Sequence, residues 1–479
     1  MKKKTDGMLA LFFSFFFFLW FLILCREPKG DTVRFLQFLE QTPPLELLRE
    51  RLASETTRVI LEAILFFFLQ RHWLLFALAN AAVTALAIRL LGRLSDRLGR
   101  ACALPASEER APLLLMTFLF FLYPLEDLAA AGIPPTFINY VWPSAFGLLA
   151  LWPVADLLAG KRERIPAPWL AASPVLILIA GNMEQMAAIL TGVLTGAAGY
   201  YAARHYAVRQ LAPGNGSAGG AENGADRKAR RDSLAALLFL DMLAALSLLF
   251  HLQGGNAARM ELSIRTYWPG FERLTVLEKL GNGVFSTMNH LLSIPNLIVL
   301  SAAFLLFLLA ATGRGKSRLL RAAGTLPFLW ELLVLALKAG EVLTEKQLLF
   351  WLNGVDDPYT DAALCPAGAG TALFWQALVL LAAFVFILAM AETGTGKLLL
   401  AGILALGFAS RVMLGFSPTL FASHTRTFYY LYLALLLVQG ALAARLWRQS
   451  PRAYWLFFGT AAAAGTVNFI RMALKAAAL

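Results

Sequence analysis

Charged residues and cysteines are scarce in this chain, and both shortages narrow what the protein can be. Only 15% of the 479 residues are Asp, Glu, Lys or Arg, while 59% are hydrophobic. Soluble domains contain roughly 45–50% apolar residues. The three cysteines (Cys25, Cys102, Cys365) show no CxxC spacing and the five histidines form no HExxH motif, so no metal site is predicted. The composition predicts an all-α polytopic integral membrane protein.

The sequence also lacks a complete nucleotide-binding loop. Gly315-Lys316-Ser317 would need a glycine at position 310, which is Ala310. Gly396-Lys397 would need one at position 391, which is Ala391, and the Ser/Thr that should follow is absent. A P-loop requires these glycines because its backbone wraps around the phosphates. We interpret both segments as short basic loops, and we predict no soluble domain.

The basic residues lie in short loops beside apolar runs, although the net charge of +12 could suggest nucleic acid. Such an arrangement follows the positive-inside rule of membrane topology, so no nucleic-acid partner is predicted. Lys2-Lys3-Lys4 followed by the apolar run Met8–Cys25 mimics a signal peptide, but no small-residue cleavage site follows. We therefore interpret residues 8–25 as an uncleaved first span. The basic loops are 2–4, 89–100, 161–164, 227–231, 314–321 and 445–452.

The topology rule predicts about thirteen transmembrane helices (about 11–14) in a single domain of residues 1–479. Residues 26–72 form the first external loop. Its apolar run 59–69 is too short to cross, which predicts an interfacial helix over residues 57–70. The Gly/Asn/Ser-rich segment 212–232 predicts a flexible cytoplasmic linker. Residues 93–110 and 204–232 should be cytoplasmic, whereas 26–56 and 253–284 should be external.

With this topology, several polar groups fall on the outer side, in what we predict to be loops. Arginine at an outer membrane end runs against the positive-inside rule and invites a charged partner. Because guanidinium groups bind phosphate in a bidentate manner, these arginines could clamp a lipid-linked phosphate. A solvated loop is the simpler interpretation of any single group. The candidates are Asp31, Glu55, Arg58, Asn139, Tyr140, Trp142, Glu184, Gln185, Asn256, Arg259, Arg411 and Arg426.

Two acidic residues are candidates for catalysis. Asp31 follows the first span by about six residues, close enough to the membrane surface to deprotonate an acceptor hydroxyl. Alternatively, Asp31 balances Lys29 and Arg34. Glu55 and Arg58 are three residues apart on one helical face, so they form either a site or an ordinary ion pair.

A second set of charges falls inside predicted spans, where ionisable groups are costly and often functional. Asp241, Glu331, Lys338 and Glu341 could form a proton relay. Lys338 and Glu341 are also spaced to neutralise each other.

The layout resembles the GT-C class of multi-span glycosyltransferases, and within it a bacterial branch of glucosyltransferase-like membrane proteins. The shared features are an acidic residue opening the first external loop, an interfacial helix before the second span, and about a dozen spans. The matching stretches are Thr57-Arg58-Val59-Ile60, Asn139-Tyr140-Val141-Trp142, Glu184-Gln185, Gly255-Asn256-Ala257-Ala258-Arg259, and Ser417-Pro418 with Ser423 and Arg426.

This resemblance implies a polytopic enzyme of the bacterial plasma membrane whose active site is extracytoplasmic. It would transfer a sugar, with inversion, from a polyprenyl-phosphate donor to a surface glycan or lipid-linked acceptor among membrane lipids. Asp31 takes the place of the catalytic base, and the outer arginines would bind phosphate. Asp31-Thr32 stands where such enzymes often show two acidic residues, so participation of a divalent cation stays open.

Two other classes compete with the enzyme. A transporter, flippase or polymerase of surface polysaccharide would place polar groups near mid-membrane and often shows related halves with broken helices. The polar groups here cluster at one surface and no repeat is evident, which favours the enzyme. A non-catalytic subunit for envelope assembly is the third class.

Overall fold

In the computed structural model, the described part of the chain consists of helices and their connections. It comprises residues 2–103, 111–125, 131–160, 162, 164–210, 224–313, 315–344, 369–423 and 425–478. The helices are α1 (Lys2–Leu24), α2 (Asp31–Gln41), α3 (Pro44–Ser54), α4 (Val59–Leu69), α5 (Trp73–Ala101), α6 (Ala111–Phe120), α7 (Ile133–Leu158), α8 (Ala167–Ala180), α9 (Glu184–Gln210), α10 (Gly224–Phe250), α11 (Gly254–Tyr267), α12 (Val276–Leu292), α13 (Leu297–Thr312), α14 (Arg318–Thr344), α15 (Ala369–Met390), α16 (Gly394–Val412), α17 (Tyr429–Gln449) and α18 (Pro451–Ala478).

Eight of these helices are long and apolar enough to cross a membrane, as in a multi-pass membrane protein. They are α5, α7, α9, α10, α15, α16, α17 and α18. The pair α12–α13 also qualifies as one span, bent by 69° at its break, which would make nine. The sequence-based count of thirteen is not confirmed, since apolar helices such as Ala10–Leu24 and Ala167–Ala180 are shorter. Across the residue ranges given above, the all-helical fold class holds.

Helix α4 occupies the segment predicted to lie in the membrane interface. It has 11 residues, and at 1.5 Å per residue it is about 16 Å long, roughly half the thickness of a hydrocarbon core. Its length therefore fits an interfacial or re-entrant position, and its location in the interface stays a prediction.

Several predicted loops are helical. Asn139, Tyr140 and Trp142 lie inside α7, which begins at Ile133. The reason is that Pro134 and Pro135 fall in the first turn, where the missing N–H groups are not needed. Residues 253–284 contain α11 and most of α12, and residues 224–232 of the predicted linker belong to α10. Residues 212–223 of that linker lie outside the described residues.

Four helices, α5, α7, α16 and α17, meet at one end of the bundle, where arginines of α5 and α17 form ion pairs. Arg97 of α5 pairs with Asp156 of α7, and the Thr393 hydroxyl before α16 donates to the carbonyl of Ala101 at 2.6 Å. Arg445 near the end of α17 pairs with Glu392 at 2.9 Å. The polar residues considered below lie at the opposite ends of α7, α16 and α17. The ion pairs at one end of the bundle and the polar residues at the other are therefore separated by the length of these helices.

The segment 413–423, which lines the cavity described below, is packed closely against α12. At the closest approach only backbone atoms are in contact. A Cβ on Gly283 would lie 2.2 Å from the carbonyl oxygen of Val412 and 3.3 Å from the Cα of Gly415. Only glycine allows this approach, because neither neighbour is a flexible side chain that can move.

We therefore expect Gly283→Ala to destabilise the fold by about 1–3 kcal/mol, the usual cost of overpacking. The measurement is thermal unfolding of purified protein in detergent. Gly281→Ala, two residues earlier on the same helix, is the control because no atom lies within 4 Å of the added carbon. Equal melting temperatures for the two variants would contradict this account.

Candidate active site

Ten of the twelve sequence-predicted site residues line one cavity with two lobes. The first, the His251 lobe, has a volume of about 450 Å³. The second, the Glu55 lobe, has a volume of about 420 Å³. The wall common to both lobes contains Asp31, Arg58, Asn139, Arg259, Ser263, Thr419, Ser423 and Arg426. Tyr140, Glu184, Gln185 and Asn256 line only the His251 lobe.

Asp31 reaches the common wall because of a close approach between the start of α2 and the start of α7. Its backbone N–H donates to the carbonyl of Ala131 at 3.0 Å. The next residue, Gly132, has φ 103°, and a Cβ there would lie 2.7 Å from the Thr32 hydroxyl and 2.8 Å from the carbonyl of Lys29. Position 132 thus requires glycine for two reasons: its φ lies in the left-handed region, and no space is left for a Cβ. This junction fixes Asp31 at the helix start.

Arg58 and Glu184 form the strongest ion pair of the His251 lobe. Arg58 donates from Nε to both carboxylate oxygens, at 3.1 and 2.9 Å, and its Nη2 lies 2.7 Å from Oε2. Although burial alone would lower it, the pKa of Arg58 is raised by the carboxylate of Glu184. Both side chains are mostly buried, so the pair joins the start of α4 to the start of α9.

Asn182 ties the same two elements together at the backbone. Its Oδ1 accepts from the N–H of Leu61 at 3.0 Å, and its Nδ2 donates to the carbonyl of Thr57 at 3.1 Å. Leu61 lies in the first turn of α4, whose N–H groups have no partner within the helix. Asn182 therefore acts as a cap supplied from a distant part of the chain, and it orients Arg58.

A hydrogen-bonded network around His251 shapes the other side of this lobe. The Nε2 of His251 donates to the carbonyl of Gly181 at 2.8 Å, which leaves Nδ1 to accept from the Thr57 hydroxyl at 2.6 Å. Asn256 donates to the Thr57 hydroxyl at 3.1 Å and to the carbonyl of His251 at 2.7 Å. His251 and Thr57 were not predicted as site residues. Only the position of His251 at the end of an apolar run could have signalled it.

Besides Arg58, two further guanidinium groups, those of Arg259 and Arg426, line the common wall. Arg426 Nη1 lies 4.0 Å from Asp31 Oδ2. Arg259 forms no ion pair within the described part of the chain. The positive charge of Arg58 lowers the pKa of Arg259. Arg259 thus adds a second positive charge beside Arg58, and no carboxylate pairs with it in the described part of the chain. An uncompensated guanidinium group of this kind can bind an anion.

Three amide oxygens in the cavity lack a hydrogen-bond partner. They belong to Asn139, Gln185 and Asn256, and none has a donor among the residues that the structure describes. Buried polar atoms usually find a partner, so these oxygens are available to a ligand with hydroxyl groups. The Thr419 hydroxyl contacts the Ser417 hydroxyl at 2.9 Å and the Ser423 hydroxyl at 3.1 Å in the same cavity.

The Glu55 lobe contains a chain of alternating charges. Arg34 Nη2 lies 3.6 Å from Glu55, which pairs in turn with Arg51 at 2.5 Å. Arg51 donates two hydrogen bonds of 2.8 Å to the buried carboxylate of Glu62. Although burial alone would lower it, the pKa of Arg51 is raised by Glu62 and Glu55. Glu55 therefore pairs with Arg51 and Arg34, and its predicted partner Arg58 pairs with Glu184 instead.

We expect Arg51→Met to destabilise the protein by about 3–5 kcal/mol, because it leaves the buried Glu62 carboxylate without its partner. Denaturation of purified protein in detergent is the measurement. Arg49→Met is the matched control on the same helix, where the side chain is exposed. Glu62→Leu in the Arg51→Met background should recover part of the loss. A double variant no more stable than Arg51→Met would argue against the ion pair as the cause.

Trp142 and Arg411 do not line either lobe. Trp142 is buried within the bundle, and its indole N–H donates to Asn80 at 2.9 Å. Arg411 is only 2% exposed, and its guanidinium lies 4.3 Å from the centroid of Phe428. It donates to the Ser286 hydroxyl at 3.1 Å and to the carbonyl of Leu420 at 3.3 Å. Both side chains contact protein rather than the cavity, because they point into the packing between helices.

The surroundings of Asp31 do not fit a divalent cation. Hard cations require several oxygen ligands, whereas the ion-pair neighbour of Asp31 is the guanidinium of Arg426. In the regions that the structure describes, no three His, Cys, Asp or Glu side chains are grouped to hold a metal ion.

An apolar cavity of about 210 Å³ lies one turn further along the same helices. Ser144, Met186 and Tyr430 line it, close in sequence to residues of the His251 lobe. Gln185, whose Nε2 donates to the carbonyls of Ser410 and Thr427 at 2.8 and 3.4 Å, forms part of the layer between the two cavities. Further along, Leu94, Leu98, Leu148, Leu151, Leu158, Ile189, Leu406 and Leu437 line the apolar cavity.

No protein-family model matches the chain, and neither the curated proteins nor the solved structures contain a significant match.

Proposed function

We propose that this protein is a membrane glycosyltransferase that uses a polyprenyl-phosphate sugar, as the resemblance to the GT-C class implies. The observation that carries the proposal is the common wall, where one carboxylate and three guanidinium groups face a single cavity. Acid–base and phosphate-binding groups have to meet in this way, because proton removal and phosphate departure occur at neighbouring atoms of one reaction centre.

The ligand that best suits the two cavities is an amphiphile with an anionic head. The positive side chains at the common wall outnumber the acidic ones, while the neighbouring cavity is lined almost entirely by apolar groups. A polyprenyl phosphate would occupy both cavities, with its phosphate near Arg259 and its isoprenoid chain between α7, α9 and α17. Charge-assisted contacts to phosphate are about twice as strong as neutral hydrogen bonds.

The chemistry proposed is a direct displacement. Asp31 accepts the proton of an acceptor hydroxyl, whose oxygen forms a bond to the anomeric carbon while the bond from that carbon to the phosphate oxygen breaks. The phosphate leaves with the electron pair, and Arg259 and Arg426 stabilise its growing charge. The anomeric configuration is inverted. By the positive-inside rule the cavity opens on the extracytoplasmic side, since the basic helix ends lie opposite.

The test is release of polyprenyl phosphate from synthetic polyprenyl-phosphate hexoses by purified protein in nanodiscs. We expect release by the wild-type chain, and a greater rate with extracts containing surface glycans. Binding of polyprenyl phosphate is measured in parallel. Neither binding nor release with any hexose donor would overturn the proposal.

A second candidate, a transporter or flippase of a lipid-linked sugar, is favoured by the break between α12 and α13. The two helices meet at 69°, and broken helices are common at transport sites. Polar residues lie at this break: His290 Nε2 is 2.5 Å from the Tyr432 hydroxyl, and Gln376 donates to Ser293 at 2.8 Å.

Proteoliposomes containing a fluorescent polyprenyl-phosphate sugar distinguish the two candidates. A transporter would expose the inner-leaflet label to an impermeant quencher without release of polyprenyl phosphate. The enzyme would release polyprenyl phosphate and leave the inner-leaflet label protected.

A further inference from the structure

We propose that the Glu55 lobe is the acceptor subsite and that it binds an uncharged, hydroxyl-rich sugar. The inference rests on the proposed function and assigns its second substrate. The Glu55 lobe is separate from the His251 lobe except at the common wall, and Asp31 lines both. A base that serves a displacement has to face both reactants, and only the wall between the two lobes meets this condition.

The charges of the two lobes differ. In the Glu55 lobe the residues that belong to it alone are balanced: Arg34 and Arg51 pair with Glu55 and Glu62. The uncompensated positive charge lies on the common wall, at Arg259. A phosphate is therefore held at the common wall, and the apolar cavity next to the His251 lobe places the lipid chain on that side. A ligand in the part of the Glu55 lobe away from the common wall meets two arginines and two glutamates that are paired with one another, which suits an uncharged molecule with hydroxyl groups.

The lining of the Glu55 lobe also suits a sugar. The volume of about 420 Å³ lies within the range of roughly 300–1,000 Å³ for sites of small organic ligands. Tyr267 lines this lobe and is 54% exposed, and a tyrosine side chain can pack against apolar C–H groups and hydrogen-bond hydroxyls. Glu55 can accept from sugar hydroxyls, and the Asn139 oxygen at the common wall lacks a partner among the described residues.

Protection of introduced cysteines from a thiol reagent tests the assignment with simple sugars in place of the natural acceptor. Thr266 is exposed and lines only the Glu55 lobe, whereas Leu252 is exposed and lines only the His251 lobe. Thr266→Cys and Leu252→Cys are each made in a Cys365→Ser background, since Cys25 and Cys102 are buried. Leu277→Cys is the control, because it is 76% exposed and lines neither lobe. The probes are glucose, galactose, maltose, lactose, glucuronate and polyprenyl phosphate.

We expect at least one neutral sugar to slow modification of Thr266→Cys severalfold, with little effect on Leu252→Cys or Leu277→Cys. Glucuronate should protect no better than the neutral sugars. Tyr267→Ala in the Thr266→Cys background should raise the sugar concentration needed for protection severalfold. Polyprenyl phosphate should protect Leu252→Cys.

The outcomes separate the two proposals. If no sugar slows modification of Thr266→Cys, or if sugars slow Leu277→Cys equally, the acceptor subsite is overturned. If polyprenyl phosphate protects Thr266→Cys better than Leu252→Cys, the lobes have been assigned the wrong way round. If a sugar protects Thr266→Cys but polyprenyl phosphate leaves Leu252→Cys unprotected, the sugar site stands and the proposed donor is wrong.

Discussion

Replacement of Asp31 by asparagine is expected to reduce glycosyl transfer by about 10²–10⁴-fold, the usual contribution of a general base. Asparagine keeps the size of the side chain and the backbone hydrogen bond to Ala131, so the start of α2 should remain in place. Binding of polyprenyl phosphate should be unchanged or stronger, because a negative charge beside Arg426 is removed. Initial rates of transfer and donor affinity in nanodiscs are the two measurements.

Glu40→Gln is the matched control for Asp31→Asn. It removes a carboxylate from the same helix, but Glu40 lines neither lobe, so transfer should remain at the wild-type level. Full turnover by Asp31→Asn would mean that another group removes the proton. Glu55 would then be the better candidate, since Glu184 is held in a three-contact pair with Arg58.

The helical fold and much of the candidate site were predictable because both depend on local patterns. Apolar runs predicted the helices, and the alternation of basic loops predicted that residues such as Arg58, Glu184 and Arg259 would share one end of the bundle. The structure brings these three together in one cavity. Sidedness works as a predictor because it places residues that are distant in sequence on one surface, whatever the packing between the helices.

Packing direction explains most of what the sequence did not predict. Trp142 and Arg411 lie near the cavity in sequence, yet their side chains point between helices. Arginine usually avoids such burial, but here the ring of Phe428 and oxygen acceptors on neighbouring elements stabilise it. The pairing of Arg58 with Glu184 instead of Glu55 depends on contacts across 126 residues. Local spacing contains no information about such contacts.

The segment that contains Asn139 and Tyr140 is helical although its helix, α7, has two internal prolines. Pro143 and Pro153 both lie inside this helix, which continues to Leu158. Long membrane helices tolerate internal proline when neighbouring groups satisfy the freed backbone. As a result, Asn139 and Tyr140 reach the cavity from a helix, which holds them more firmly than a loop would.

Replacement of Arg259 by alanine is expected to weaken binding of polyprenyl phosphate by roughly 10- to 150-fold, which corresponds to loss of a charge-assisted contact of about 1.5–3 kcal/mol. Arg259 has no carboxylate partner in the described part of the chain, so its removal leaves no buried carboxylate without an ion-pair partner. Its absence also relieves the repulsion from Arg58 that lowers its pKa. The fold should therefore survive, and the loss should appear in donor affinity measured by titration in nanodiscs.

Arg265→Ala separates this effect from a general loss of positive charge. Arg265 lies on the same helix but pairs with Glu261 away from the cavity, so donor affinity should be unchanged. Arg259→Lys should recover only part of the affinity, because an ammonium group does not make the bidentate contact of a guanidinium. Equal donor affinity for Arg259→Ala and the wild-type chain would place the phosphate elsewhere. That result would contradict the assignment of the common wall as the reaction centre, even if Asp31→Asn were inactive.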